Sequence, residues 1–356
     1  MVVGNRFSVA RPHERLSLLQ KMKIAIVGCG AVGSFYGAKL ARAGLDVHFL
    51  LRSDYQAVRT KGVKVQSFEG DFEVHPKCAC LPEQIGRCDL VLIALKTTAT
   101  DEYSRLLTSL VGENTVLATL QNGLGNEEKL HSLFPAQRVI GGLCFVCLNR
   151  VAPGVVVHLD HGKVVVGNFT GPKADLGADR LAELFRGAGV LASMTENLAL
   201  TRWEKLAWNI PFNGLGVASA GGLEAVLKGS VPPGLSLLQC LTTDRLLATP
   251  GWYLLVRELM TEVIGAARAL GLNIADDLAD KMVDHTRTMG AYKASTVLDF
   301  ERQNPLELES IFLEPLRRAT LAGQQMTRLR ALCKVLKELD DRREAASSST
   351  ATSKIP

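Results

Sequence analysis

The stretch Lys23-Ile24-Ala25-Ile26-Val27-Gly28-Cys29-Gly30-Ala31-Val32-Gly33 decides the fold. It opens on a short apolar run of the kind that fills a buried strand, and the run ends in glycine. A helical stretch follows, roughly Val32 to Ala43, and Gly44 stops it. The glycines at 28, 30 and 33 spell G-x-G-x-x-G. A strand before the pattern and a helix after it are the context that gives it meaning as a dinucleotide-binding turn. Gly28 permits the tight turn, Gly30 lets a pyrophosphate approach the backbone, and Gly33 allows close packing of helix on strand. Cys29, Ala31 and Val32 complete the expected cofactor-binding loop. The competing reading, a glycine-rich turn without a ligand, has the strand-turn-helix context against it.

Outward from this turn, strands and helices alternate. Val47-His48-Phe49-Leu50-Leu51 reads as a second strand and Lys64–Gly70 as a short polar one. Leu90–Leu95, Thr115–Leu120 and Val139–Phe145 are three more apolar runs. Such alternation predicts an α/β fold with a mostly parallel, doubly wound (Rossmann) sheet. Val155–Asp160 and Lys163–Phe169, separated by His161-Gly162, predict a hairpin at the sheet edge. After about Gly189 the pattern turns helical, with segments near 199–210, 254–270, 275–289 and 305–337, so an all-α domain follows. The expected organisation is an unstructured extension over 1–21, a nucleotide-binding domain over 22–192 and a helical substrate and catalytic domain over 193–337. Residues 220–240 carry little periodicity and read as a loop or insertion, and 338–356 as an unstructured tail that ends in the low-complexity EAASSSTATSKIP.

The 356 residues suffice for two domains, and 47% apolar with 22% charged residues is a globular balance. A net charge of +5 without a dense basic block predicts no nucleic-acid partner. No apolar run approaches the roughly 20 residues of a membrane span, and the first 21 residues lack an apolar signal core. A cytoplasmic enzyme without membrane or metal is expected, as a monomer or homodimer. The eight irregularly spaced cysteines read as reduced thiols. Cys144 and Cys147 form a C-x-x-C within a strand, where residues three apart face opposite ways, so buried structural thiols are expected there.

The end of the second strand bears on the cofactor. Enzymes that use NAD place an acid there to bind the ribose 2′-hydroxyl. This chain has Leu50-Leu51-Arg52-Ser53. A guanidinium binds a 2′-phosphate through paired hydrogen bonds where a carboxylate would repel it, so the reading is NADP(H). The alternative makes Arg52 a solvated surface residue and gives the acidic role to Asp54. Lys96 and Asn122 follow two further strands, at the carboxyl ends where open α/β sheets bind ligands.

Lys205, Asn209 and Asn213 fall at i, i+4 and i+8, one face of a helix. By composition alone that row reads as a solvated stripe, and Pro211 within it predicts a kink. Read in order, GCGAVG, LLR, ALKT, QNGLGNEE, K-L-A-W-N-x-x-x-N and S-T-V-L-D-x₇-E resemble the ketopantoate reductase (2-dehydropantoate 2-reductase) family over roughly residues 22–335. Pro211 and the stretch 220–240 depart from the family pattern. The resemblance implies a Rossmann domain followed by a helical one. It also implies reduction of the 2-oxo acid 2-dehydropantoate to (R)-pantoate by NADPH, a step toward pantothenate and coenzyme A. It makes Lys205 the catalytic acid, and Asn122, Asn209, Asn213 and Ser295 substrate ligands. Arg52, Lys96, Asn122 and Glu307 become cofactor contacts. Reduction of another 2-oxo acid and a non-catalytic NADP-binding sensor are the alternatives. Retention of both Lys205 and Glu307 speaks against the sensor.

Overall fold

The computed structural model describes residues 21–170 and 176–352, with side chains described through residue 345. The expected N-terminal extension, apart from Lys21, lies outside the described residues. The described residues form two compact units, one over 21–121 and Glu127–Glu196, the other over Asn122–Asn126 and 197–352.

The first unit is a ten-stranded sheet. In chain order its strands are β1 (Lys23–Val27), β2 (Asp46–Leu50), β3 (Val63–Ser67), β4 (Phe72–Val74), β5 (Lys77–Ala79), β6 (Cys88–Ile93), β7 (Val111–Thr119), β8 (Arg138–Ala152), β9 (Val155–Thr170) and β10 (Ala192–Met194). Their spatial order is β4-β3-β9-β8-β7-β6-β1-β2-β5, with β10 on β9. Every pairing is parallel except β3–β4 and β8–β9. The central strands are apolar on both faces. Ile24 and Ile26 of β1 join one core, while Ala25 and Val27 join another on the opposite side. A strand with no polar face must be covered twice, which is why helices lie on both sides.

On one face are α1 (Ala31–Arg42) and, later in the chain, α6 (Ala178–Gly187); between them in sequence come α2 (Tyr55–Lys61), α3 (Pro82–Ile85), α4 (Tyr103–Leu107) and α5 (Asn126–Leu133). Ile85, Tyr103, Leu107 and Leu130 of α3, α4 and α5 fill the core of the other face. The sheet is thus doubly wound. The unit ends at Glu196, beyond the expected boundary at 192, because β10 still pairs in the sheet.

The expected hairpin at His161-Gly162 is not formed. β9 runs straight through as one strand, antiparallel to β8, and the true hairpin turn is Pro153-Gly154. At His161-Gly162 the register slips so that β9 carries one extra residue, with φ of 62° and 125° at the two positions. A bulge and a turn share this residue chemistry, and only the partner strand tells them apart. Cys144 and Cys147 are buried on β8, and the described cysteines form no disulfide.

The second unit is helical: α7 (Leu198–Ala218), α8 (Leu223–Lys228), α9 (Thr243–Ala248), α10 (Pro250–Ala269), α11 (Leu278–Thr288), α12 (Ser295–Glu301), α13 (Glu314–Leu321) and α14 (Thr327–Thr352). A π-helical turn, Glu309–Leu313, leads into α13. Asn197 caps α7, its side chain accepting from the Leu200 amide at 2.9 Å. Helix α7 is the hub, packed by α10, α12 and α14. It is one continuous helix with Pro211 inside it, and every residue from Asn209 to Ala218 is buried. Leu124, from the short segment Asn122–Asn126, belongs to this helical core. Among the described residues no helix is long and apolar enough to cross a membrane.

Three expectations fail here for long-range reasons. The single helix over 305–337 is broken by Gly323 (φ 79°), and α14 starts afresh where Glu262 accepts from the Arg328 and Leu329 amides at 2.8 and 2.9 Å. Residues 338–352, expected to be unstructured, continue α14, with Leu339 fully buried. The stretch 220–240 contains α8, and its irregular remainder is pinned to α14. Glu338 accepts from the Val231 amide at 2.6 Å, and Arg342 donates to the Pro232 carbonyl at 2.8 Å.

Candidate active site

In the first unit the nucleotide loop joins β1 to α1. Gly28 has φ 98°, and a Cβ there would overlap the backbone of Ala94 and Leu95 just beyond β6. A Cβ on Gly33 would overlap the Gly28 carbonyl, so these two glycines are required by the protein's own packing. Gly30 differs, since a Cβ there would meet no protein atom within 4 Å. Packing does not explain that glycine, whereas close approach of a ligand does. Helix α1 starts at this point with no side-chain cap and no acid in its first turn, so its amides and dipole face an anion unopposed. The residues present therefore fit a dinucleotide pyrophosphate. The Cys29 thiol lies 3.5 Å from the carbonyls of Ile26 and Leu50, turned to the strands, and burial pushes its pKa well up. Ala31 and Val32 form the first turn of α1.

At the end of β2, Arg52 and Ser53 are exposed, and Arg52 makes no ion pair among the described residues. Asp54 is 5% exposed and engaged elsewhere. Arg150 donates to it through Nε at 2.8 Å and through Nη2, the Gly154 amide at 3.1 Å, and the Ser53 hydroxyl at 3.0 Å. Burial by itself would raise the Asp54 pKa, but these donors outweigh it and hold the carboxyl below its ordinary range. The rival acid for a ribose hydroxyl is thus committed to the protein. Lys96 is exposed just past β6, one residue beyond the backbone that lies under Gly28.

The second unit gathers the amine and the amides. Lys205 on α7 donates through Nζ to Asn122 Oδ1 at 2.8 Å. Asn122 is held by its own segment, its carbonyl accepting from Asn126 Nδ2 at 2.9 Å. The next residue, Gly123, has φ 84°, and a Cβ there would overlap the Ser310 carbonyl, which also accepts from the Leu124 amide at 2.9 Å. Lys205 is half-buried, Asn209 is 6% exposed and Asn213 is 2% exposed, so the row is not a solvated stripe. The Asn209 side chain makes no hydrogen bond among the described residues, so its amide is open to a ligand. Asn213 is partly spoken for: its Oδ1 accepts from the Thr296 amide at 2.9 Å and the Ser295 hydroxyl at 3.3 Å. The two asparagines of the motif therefore differ in role. Glu307, 4% exposed, precedes the π turn that carries Ser310.

Sequence reasoning missed Ser310, Thr296 and Arg150. The first two act through backbone groups, which carry no side-chain signature. Arg150 lies 96 residues from the carboxylate it binds.

A glycine-lined strand-turn-helix on a doubly wound sheet defines a dinucleotide-binding domain. Comparison with known proteins gives the family. "Ketopantoate reductase PanE/ApbA" matches residues 24–171, and "Ketopantoate reductase PanE/ApbA C terminal" matches residues 197–340. A 2-dehydropantoate 2-reductase of Nostoc sp. is 38% identical over 330 residues, which is 91% of this chain and 97% of that protein. The crystal structure of 2-dehydropantoate 2-reductase from Geobacter metallireducens superposes with a TM-score of 0.79 at 45% identity, covering 89% of this chain and 99% of the other. That from Methylococcus capsulatus does so with a TM-score of 0.77 at 31% identity, covering 90% and 98%. The chain belongs to the ketopantoate reductase family and is an oxidoreductase acting on the CH-OH/C=O couple.

Proposed function

We propose that this chain reduces 2-dehydropantoate to (R)-pantoate with NADPH, as a cytoplasmic step toward pantothenate and coenzyme A. When bound, NADPH would supply a hydride to the C2 carbonyl carbon of the substrate. Negative charge then develops on the carbonyl oxygen, and an ammonium both stabilises it and delivers the proton. Lys205 is that group. Its hydrogen bond to Asn122 Oδ1 at 2.8 Å, on the helix face that also carries buried Asn209, is the observation that supports the reading most. Asn122 aims the amine. Asn209, Asn213 and Ser295 offer amide and hydroxyl partners to the substrate carboxylate and hydroxyl. Glu307 serves the cofactor ribose and the substrate hydroxyl. In the nucleotide unit Gly28–Gly33 takes the pyrophosphate, Arg52 the 2′-phosphate and Lys96 the ribose or phosphate.

The test is NADPH oxidation followed by absorbance with a panel of 2-oxo acids. The highest kcat/KM is expected with 2-dehydropantoate. A higher value with a different 2-oxo acid would reassign the substrate, and no turnover with any would return the chain to the class of cofactor-binding sensors.

A further inference from the structure

Asp54 sits two residues past the point where a dinucleotide's 2′-substituent is read, and an open carboxylate there would repel a phosphate. It is closed by four donor contacts, two from Arg150 on β8, one from the Gly154 amide in the β8–β9 turn and one from Ser53. The turn itself is anchored: the Lys64 amide donates to the Gly154 carbonyl at 2.9 Å, and at Gly154 (φ 71°) a Cβ would crowd the Gly62 carbonyl and Val58 of α2. On the other side of the exposed pair Arg52-Ser53, Leu51 is buried and its amide donates to the Ala79 carbonyl at 2.9 Å. The two residues that project are therefore fixed at both ends.

We infer that Arg150 is a positioning residue for cofactor choice, neutralising Asp54 and locking the end of β2 so that Arg52 meets a 2′-phosphate. The inference rests on the NADPH reading above. Its physical content is selectivity. With Arg150 present, the Asp54 carboxylate and the guanidinium form a neutral, bidentate pair. Without it, a buried anion stands beside the phosphate site. That anion opposes the phosphate of NADPH, whereas NADH brings only a hydroxyl that a carboxylate accepts. A purely structural role would weaken both cofactors alike.

The experiment measures dissociation constants of NADPH and NADH on the full chain by quenching of protein fluorescence. Arg150→Met is expected to raise the NADPH constant by about tenfold, with the NADH constant changing by less than about twofold. Combining it with Asp54→Asn removes the stranded charge and should restore most of the preference. Equal weakening of both cofactors in Arg150→Met, or no change in either, overturns the inference while leaving the NADPH reading intact. Equal constants in the unmodified protein remove the NADPH reading and the inference with it. If a melting curve shows Arg150→Met unfolded, the double variant decides, and loss of preference there overturns the inference.

Discussion

Replacing Lys205 by alanine separates catalysis from structure. The amine makes a hydrogen bond to a neutral amide oxygen at 2.8 Å, from a half-buried position. One such bond contributes about 1.5 kcal/mol to stability. In a chain of this size the loss of that bond lowers the melting midpoint by a few degrees, and the thermal melt measures the whole structural effect. Loss of a general acid costs about 10²–10⁴-fold in turnover, or roughly 3–5 kcal/mol at the barrier. The kinetic effect thus exceeds the structural one about two- to threefold. NADPH affinity should hardly change, since the nucleotide loop lies elsewhere in the sequence. Lys205→Arg should fail almost as badly, because a guanidinium stays protonated and is a poor proton donor. The assay is steady-state NADPH oxidation with 2-dehydropantoate, beside a thermal melt of the same preparation. Near-normal turnover in folded Lys205→Ala would refute the assignment.

Four further outcomes are expected. Arg52→Asp should erase or invert the NADPH preference in a binding titration, and equal affinity of the unmodified protein for both cofactors would sink the reading of Arg52. Gly33→Ala should destabilise by about 1–3 kcal/mol through overpacking, whereas Gly30→Ala should melt normally and bind the dinucleotide poorly; equal midpoints for the two would contradict the division of labour. Asn213→Ala should cost about 1 kcal/mol by stripping the Thr296 amide of its acceptor, while Asn209→Ala should raise KM without moving the melt. The depressed pKa of Asp54 means that its contribution is present above the unfolded carboxyl value of about 3.9 and is lost as pH falls through the lower folded value. Asp54→Asn should therefore be less stable than the parent near neutrality and flatter in stability below about pH 4; identical acid profiles would show that the pairing contributes nothing.

Much of this was legible locally. The strand before Gly28, the helix after it and the two-faced apolar runs needed only short-range pattern, and they define the doubly wound sheet. The Lys205 face was readable from helical spacing, although its burial was not, since composition alone suggested a solvated stripe. What the sequence hid depends on distant partners. His161-Gly162 has the chemistry of a turn, and only continuous pairing with β8 makes it a bulge. Residues 338–345 read as part of an unstructured tail until Leu339 enters the core and Glu338 and Arg342 grip the segment after α8. Asp54 reads as a rival ribose ligand until Arg150 claims it.

The assignment of Asn122–Asn126 to the helical unit bears on how the chain can be rearranged in evolution or in the laboratory. Leu124 fills the helical core, and its neighbour Asn122 supplies the partner of Lys205, yet both are encoded well upstream, between two segments of the nucleotide-binding unit. A gene cut at Glu196/Asn197 would release a helical fragment with a hole in its core and an unaimed lysine. The nucleotide-binding half likewise cannot be swapped for another dinucleotide-binding domain unless the newcomer brings an equivalent five-residue plug. The two units are distinct in space but form one heritable cassette.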